Sequence, residues 1–254
     1  MPTVARFNIT PVKSTRLHSP EEIDLRAEGT VGDRRFLFVR DDGSRLSGVS
    51  KAALMPLIAD WDRKEERLTI AFPDGTSVGG SADADGDAFE VKLFDRSVPA
   101  RWVDRVFTDA VRERVDETIG LARVADGEYA GGMHRVSITS RASVEQVGAQ
   151  LGDPGLDGRR FRMLLELDGT EPFEEDTWRG MRIRAGEAVI RVGDGMPRCV
   201  MTTLGPDTGE PDAPVLEALA AFRKVGTELL FGAYGDVLEP GVIRRGDPVE
   251  VLPD

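Results

Sequence analysis

Apolar and polar residues alternate over short runs through the first hundred positions, and this period of two predicts strands rather than helices. Thr3 to Ile9, Glu22 to Arg26 and Asp33 to Arg40 carry β-branched and aromatic residues in partial alternation; Arg67 to Ala71, Ala88 to Phe94 and Ser97 to Val103 continue it. Asp41-Asp42-Gly43 and Pro73-Asp74-Gly75 divide the runs as turns, since glycine accepts the positive φ a tight turn requires. Gly79 to Gly86 (GGSADADG) reads as an acidic loop without calcium-loop spacing. The period then lengthens. Val106, Ala110, Val111, Val115 and Ile119 recur near every 3.6 residues, which predicts a helix over Val106 to Ile119. Ser143 to Leu151 predicts a second helix, with Ser143 and Gln146 as a capping box, and Ala213 to Val225 a third, striped by Val215, Leu219 and Phe222. Arg135 to Thr139, Arg159 to Leu167, Ala188 to Val192, Val200 to Leu204, Leu229 to Tyr234 and Pro248 to Leu252 read as strands around them. Many short strands with three isolated helices predict an α+β, mostly β, barrel-like protein.

Composition narrows what such a fold does. The chain has 254 residues, enough for one large or two small domains, and 33 Lys and Arg against 45 Asp and Glu give a net charge of −12. That acidity disfavours nucleic acid and anionic membrane as partners. Met1 to Ser14 lacks the apolar core of a signal peptide, and no run approaches the roughly 18 apolar residues of a membrane span. One cysteine excludes an intramolecular disulfide and fits a reducing compartment, so a cytoplasmic location is expected. It also excludes a zinc ribbon or an Fe–S cluster built on this chain's own thiolates. There is no P-loop, no G-x-G-x-x-G and no G-x-S-x-G; flavin, nicotinamide and pyridoxal phosphate binding are not expected. Two histidines, His18 and His134, are too few for a His-rich metal site.

Four local features carry candidate chemistry. Met196-Pro197-Arg198-Cys199 sets an arginine beside the single cysteine, and a cation there favours the thiolate, which is both nucleophile and soft-metal ligand. A lone cysteine in a strand-like run also reads as a small buried hydrophobe. Pro11-Val12-Lys13-Ser14 ends the first strand with a point charge and a hydroxyl, a pair suited to phosphate or to plain solvation. Gly32-Asp33-Arg34-Arg35-Phe36 and Gly158-Arg159-Arg160-Phe161-Arg162 each open a predicted strand with arginines, whose fork matches anions; isolated, they read as surface charge.

In combination these segments resemble the MOSC family and its N-terminal β-barrel companion along nearly the whole chain. The resemblance rests on PVKS at Pro11 to Ser14, GDRRF at Gly32 to Phe36, DGTEPFEEDTW at Asp168 to Trp178, RCVMTTLGPDTG at Arg198 to Gly209 and GVIRRGDPVEVL at Gly241 to Leu252. It implies an N-terminal β-barrel domain over residues 1–103 and a MOSC β-barrel over 104–254, joined by the helix at about 106–119. In its amidoxime-reducing branch it implies a molybdenum cofactor (molybdopterin) between the domains. Cys199 would be the molybdenum ligand and catalytic residue, with Lys13, Ser14 and Arg34 on the anionic end of the pterin and Arg162 and Arg198 also touching it. The implied reaction is reduction of N-hydroxylated or N-oxide small molecules, with electrons from a separate ferredoxin, flavoprotein or cytochrome-type protein. Two other readings stay open: Cys199 as a sulfur carrier or transferase without molybdenum, and a remodelled pocket that binds another ligand without redox chemistry. The chain departs from the family at Leu164, where Phe-Arg-Pro-Asn is usual, and at Gly131 to Arg135, where Asp-x-x-Pro is usual. His134 falls in that second segment beside the expected cofactor, where an imidazole suits proton transfer as well as simple solvation. His18 precedes Pro20 in a predicted loop and carries no functional expectation.

Overall fold

Strands with one apolar face must cover it with another sheet or close on themselves. Here the main sheet does the second. In the computed structural model, which describes residues 1–254 other than Asp41, Phe94, Asp95, Met133 and Asp254, Thr3–Phe7 pairs with Leu165–Asp168, which runs parallel to Val136–Ser140. Glu228–Glu239, Ala188–Pro197, Arg182–Ala185 and Val249–Leu252 follow in that order. Val4 N donates to Asp247 O at 2.9 Å and Val249 N to Pro2 O at 2.8 Å, bringing the two ends of the sheet together into a nearly closed barrel. Phe7, Leu25, Leu165, Leu167, Ile183 and Ile190 fill it. The fold is α+β and mostly β, as the alternating pattern predicts. The predicted turn residue Asp41, the strand end at Phe94 and Met133 of the altered segment lie outside the described residues.

A second body is built from two smaller sheets. Phe36–Arg40, Ile119–Val124, Arg96–Trp102 and Ala88–Leu93 form one, and Ile58–Asp62, Arg67–Ala71 and Ser77–Ser81 the other. The helix Arg105–Val115 adds Phe107, Val111 and Val115 to a core that also holds Phe36, Phe38, Leu68 and Ile70. Sheet pairing crosses position 103 in both directions, since Thr3–Phe7 joins the barrel and Ile119–Val124 joins the second body. No helix among the described residues is long and apolar enough to cross a membrane.

Several predicted elements end or fold differently. The first helix stops at Val115 because Asp116 turns left-handed (φ 49°), and Ile119 opens a strand instead of closing the helix. Ser140, not Ser143, caps the second helix, accepting from Ser143 N at 3.2 Å. Val200–Thr203 is a short 3-10 turn, not a strand. Thr202 Oγ1 and Thr203 Oγ1 donate to the carbonyls of Cys199 and Val200 at 3.0 and 2.7 Å, and such local bonds compete with a ladder. Gly158–Phe161 is likewise a 3-10 turn, capped by Asp157, before the strand begins at Leu165. The glycine-rich segment predicted as a loop is a strand to Ser81. A Cβ at Gly80 would come within 2.9 Å of Val106 Cγ1, so its glycine serves close helix–sheet packing rather than a turn.

Leu164 packs in the barrel core with only 3% of its surface exposed. Leu164→Asn should lower unfolding free energy by about 3 kcal/mol, combining lost apolar packing with a buried amide. Chemical denaturation of both proteins measures this, and a change under about 0.5 kcal/mol contradicts the core assignment.

Candidate functional site

The turn from Thr10 to Thr15 is laced to the start of the strand Phe36–Arg40. Lys13 N donates to Phe36 O at 2.8 Å, Phe36 N to Pro11 O at 2.9 Å, and Arg34 N to Thr10 O at 2.7 Å. Beneath the turn lies Asp33, almost fully buried. Its Oδ1 accepts from Thr10 N at 2.9 Å; its Oδ2 accepts from Tyr129 Oη at 3.1 Å and pairs with Arg34 Nη1. Arg34 Nη2 reaches Arg162 O at 3.4 Å, and Arg162 Nη2 donates to Thr15 O at 2.8 Å. Ser14, Arg34 and Arg162 all have left-handed backbones, with φ of 75°, 46° and 54°. Side chains that carry a Cβ rarely adopt this conformation, and such strain gathers where a site holds groups in place.

These residues form one wall of a cleft of about 280 Å³. Lys13, Ser14, Arg34, Arg162, His134, Arg198 and Cys199, far apart in sequence, all line it. Its electrostatic neighbourhoods divide into two ends. At one, burial and then Arg34, Arg45 and Arg162 push Lys13 down to about 7. Burial, reinforced by Arg34, brings Arg162 down to about 9. Burial works against the charge of Arg34 too, but the Asp33 carboxylate beside it outweighs that and holds its pKa above the usual range. Cations packed this closely repel one another, and a negatively charged ligand relieves that repulsion.

At the other end is Cys199, exposed at the foot of the strand Ala188–Pro197. Of the two readings of Cys199, the buried strand hydrophobe does not hold; the residue occupies the N-cap position of the 3-10 turn. Arg198 beside it bonds the carbonyl of Phe161 and the thioethers of Met196 and Met163. Burial lowers its pKa to about 10, with Cys199 and Tyr234 opposing the shift. Arg198 Nε and Arg135 Nη1 are buried without a hydrogen-bond partner among the described residues. An orphaned buried donor costs roughly 1–3 kcal/mol, which a bound acceptor would recover. A cationic end, orphaned donors and an accessible soft-metal ligand fit an anionic cofactor carrying a thiophilic metal.

Residues 126–250 match the family model for the MOSC domain, and residues 1–114 match that for the MOSC N-terminal beta barrel domain. A mitochondrial amidoxime reducing component 2 from Rattus norvegicus is 38% identical over 287 residues, covering 99% of this chain and 84% of that protein. The chain belongs to the MOSC family. The Homo sapiens component 2 is 38% identical over 283 residues (97% of this chain, 82% of that protein), and component 1 is 27% identical over 288 (98% and 83%). Gly131, Gly132, His134 and Arg135 line the cleft, whereas Leu164 does not. Gly132 there has open space, since an added Cβ would meet nothing within 4 Å.

Sequence reasoning missed Asp33, Arg45, Tyr129, Arg135 and Tyr234. Asp33 stood inside the quoted GDRRF segment, where a carboxylate beside arginines reads as surface charge. The tyrosines carried a usable signal: the chain has two, and both line the cleft.

Two outcomes are expected. Asp33→Asn leaves Arg34 buried without its counter-charge and should cost about 3–5 kcal/mol in a denaturant titration; a loss below 1 kcal/mol contradicts the pairing. Lys13 titrates near 10.5 when unperturbed but near 7 in the fold. Between those values the unfolded chain holds a proton that the fold has released. Stability of the empty protein should therefore rise with pH from about 7 towards 10. Pyrophosphate, which restores the proton, should bind more weakly as pH rises through 7. Calorimetry on Lys13→Met should show binding about tenfold weaker at pH 6 and nearly flat with pH; unchanged pH dependence excludes Lys13.

Proposed function

We propose that this chain holds a molybdenum cofactor in the cleft and reduces small N-hydroxylated or N-oxide compounds with electrons from a separate redox protein of ferredoxin, flavoprotein or cytochrome type. The observation that carries the reading is the meeting, in one cleft, of an accessible cysteine with a strained, cation-rich turn. The curated relatives named as amidoxime-reducing components support the substrate class.

The residues present divide the work. Lys13, Ser14 and Arg34 would hold the anionic end of the pterin, the first two as charge and hydroxyl and the third as a pre-oriented fork. Arg162 and Arg198 would contact its body, and His134 would stand beside it at the thiol end. Cys199 would ligate the metal, because a thiolate is the soft donor molybdenum accepts. When bound, the cofactor supplies the two-electron redox chemistry. The chain's part is to fix its position, neutralise its charge and leave the mouth at Cys199 open to substrate. A single free thiol suits a reducing setting such as the cytoplasm. Exposure of Cys199 favours one competing reading, a cysteine that carries or transfers sulfur.

Protein purified from a host competent for molybdenum-cofactor synthesis should contain molybdenum stoichiometric with the chain. Cys199→Ser should lose that metal and amidoxime reduction, with stability changed by less than about 0.5 kcal/mol because the side chain is exposed. Active parent protein without molybdenum favours the sulfur-carrier reading, and a serine variant with full metal and turnover removes Cys199 from the site.

A further inference from the structure

His134 lines the cleft beside Tyr234, which feels the charge of Cys199. Its ring stacks on Tyr234, with centroids 4.3 Å apart and planes at 29°. Tyr234 senses Arg198, Glu228 and Cys199 electrostatically, and burial raises its own pKa. The Nδ1 of His134 lies 3.2 Å from Oδ1 of Asp236. Tyr234 and Asp236 are two residues apart on the strand Glu228–Glu239, so they share a face. One supports the flat of the imidazole while the other engages its edge. A carboxylate on Nδ1 fixes the ring's orientation and its tautomer. That leaves Nε2 as the nitrogen available to a molecule in the cleft.

From this arrangement we propose that His134 is the catalytic acid of N–O reduction, giving its Nε2 proton to the departing oxygen, and that Asp236 is its positioning residue. The proposal rests on the function proposed above. An N-hydroxylated substrate takes up two electrons from the one-electron donor protein, delivered in sequence, and two protons. The N–O bond breaks, the oxygen accepts the Nε2 proton and leaves as water, and the nitrogen takes a second proton from solvent. His134, one-third exposed, recovers its proton from solvent. The other proton-bearing groups of the cleft are less suited. The Tyr129 hydroxyl donates to Asp33, and burial raises its pKa. Lys13 stands among the arginines of the opposite end. Charged and titratable groups near His134 include Asp236, Arg191 opposite Asp236 in the ladder, Arg135 next in sequence, and Tyr234 with Arg198, Glu228 and Cys199 beyond it.

The chain has two histidines, so ring ¹⁵N signals can be assigned by comparison with His18→Gln and His134→Gln. In cofactor-free protein the neutral His134 ring should carry its proton on Nδ1, and Asp236→Asn should mix the tautomers. In loaded enzyme acting on an aryl amidoxime, His134→Gln should lower kcat about a hundredfold. It should leave molybdenum content and KM near parental values and flatten the fall of kcat with rising pH. His18→Gln removes a ring bonded to Ala59 O outside the cleft and should leave rate and profile unchanged. A neutral ring protonated on Nε2, or an unaltered rate and pH profile in His134→Gln of a parent that turns over, overturns the acid role alone. A parent fully loaded with molybdenum but unable to reduce amidoximes overturns the proposed function and the acid role together.

Discussion

The buried carboxylate of Asp33 is the interaction on which the cleft depends. Its oxygens take the backbone NH of Thr10, the guanidinium of Arg34 and the hydroxyl of Tyr129. A carboxylate withdrawn from water is tolerated only when charged and neutral donors replace its hydration. Here those donors come from three separate stretches of chain. Satisfying Asp33 therefore fixes the Thr10–Thr15 turn, the start of the strand at Phe36 and the Tyr129 loop against one another. The left-handed backbones at Ser14 and Arg34 persist because these bonds over-determine them.

The site runs against the charge of the molecule around it. The chain carries a net charge of −12, yet Lys13, Arg34, Arg45, Arg162 and Arg198 converge on one cleft. Burial depresses the proton affinity of Lys13, Arg162 and Arg198, and at Lys13 and Arg162 repulsion from neighbouring arginines adds to it. A fold that retains such repulsion stores binding energy for an anion. Within an acidic exterior these cations make the cleft a local attractor for ligands of opposite sign.

Cys199 is held by a different device. The segment that follows it is clamped to the second body through close approaches: a Cβ at Gly48 would lie 2.9 Å from Met201 Cε, and one at Gly209 only 2.4 Å from Ala52 O. Gly209 also has a φ of 75°, a conformation that favours glycine. Asp207 adds ion pairs to Arg16 at 2.9 Å and Arg159 at 2.7 Å. Cys199 thus sits at the end of a barrel strand whose next residues are pinned to the other body. The thiol can be exposed and still have a defined place.

Periodicity by itself determined the class of fold, because burying one face of a strand forces every second residue to be apolar, and this shows at short range. It also located the strands Glu22–Arg26 and Arg67–Ala71 to the residue. The candidate residues Lys13, Ser14, Arg34, Arg162, Arg198 and Cys199 were legible because cations and a lone thiol in these motifs resemble a known family. Periodicity failed where local bonding wins, as at Val200–Thr203, whose threonine hydroxyls turn an apparent strand into a 3-10 turn. Only the tertiary structure decided that Leu164 belongs to the barrel core and not to the cleft, since the direction of a side chain after a left-handed residue such as Arg162 cannot be read from alternation. It alone paired Asp33 with Tyr129 and His134 with Asp236, across 96 and 102 positions. Contacts at that separation leave no periodic trace in the chain; they arise when closing a barrel brings distant loops to one rim.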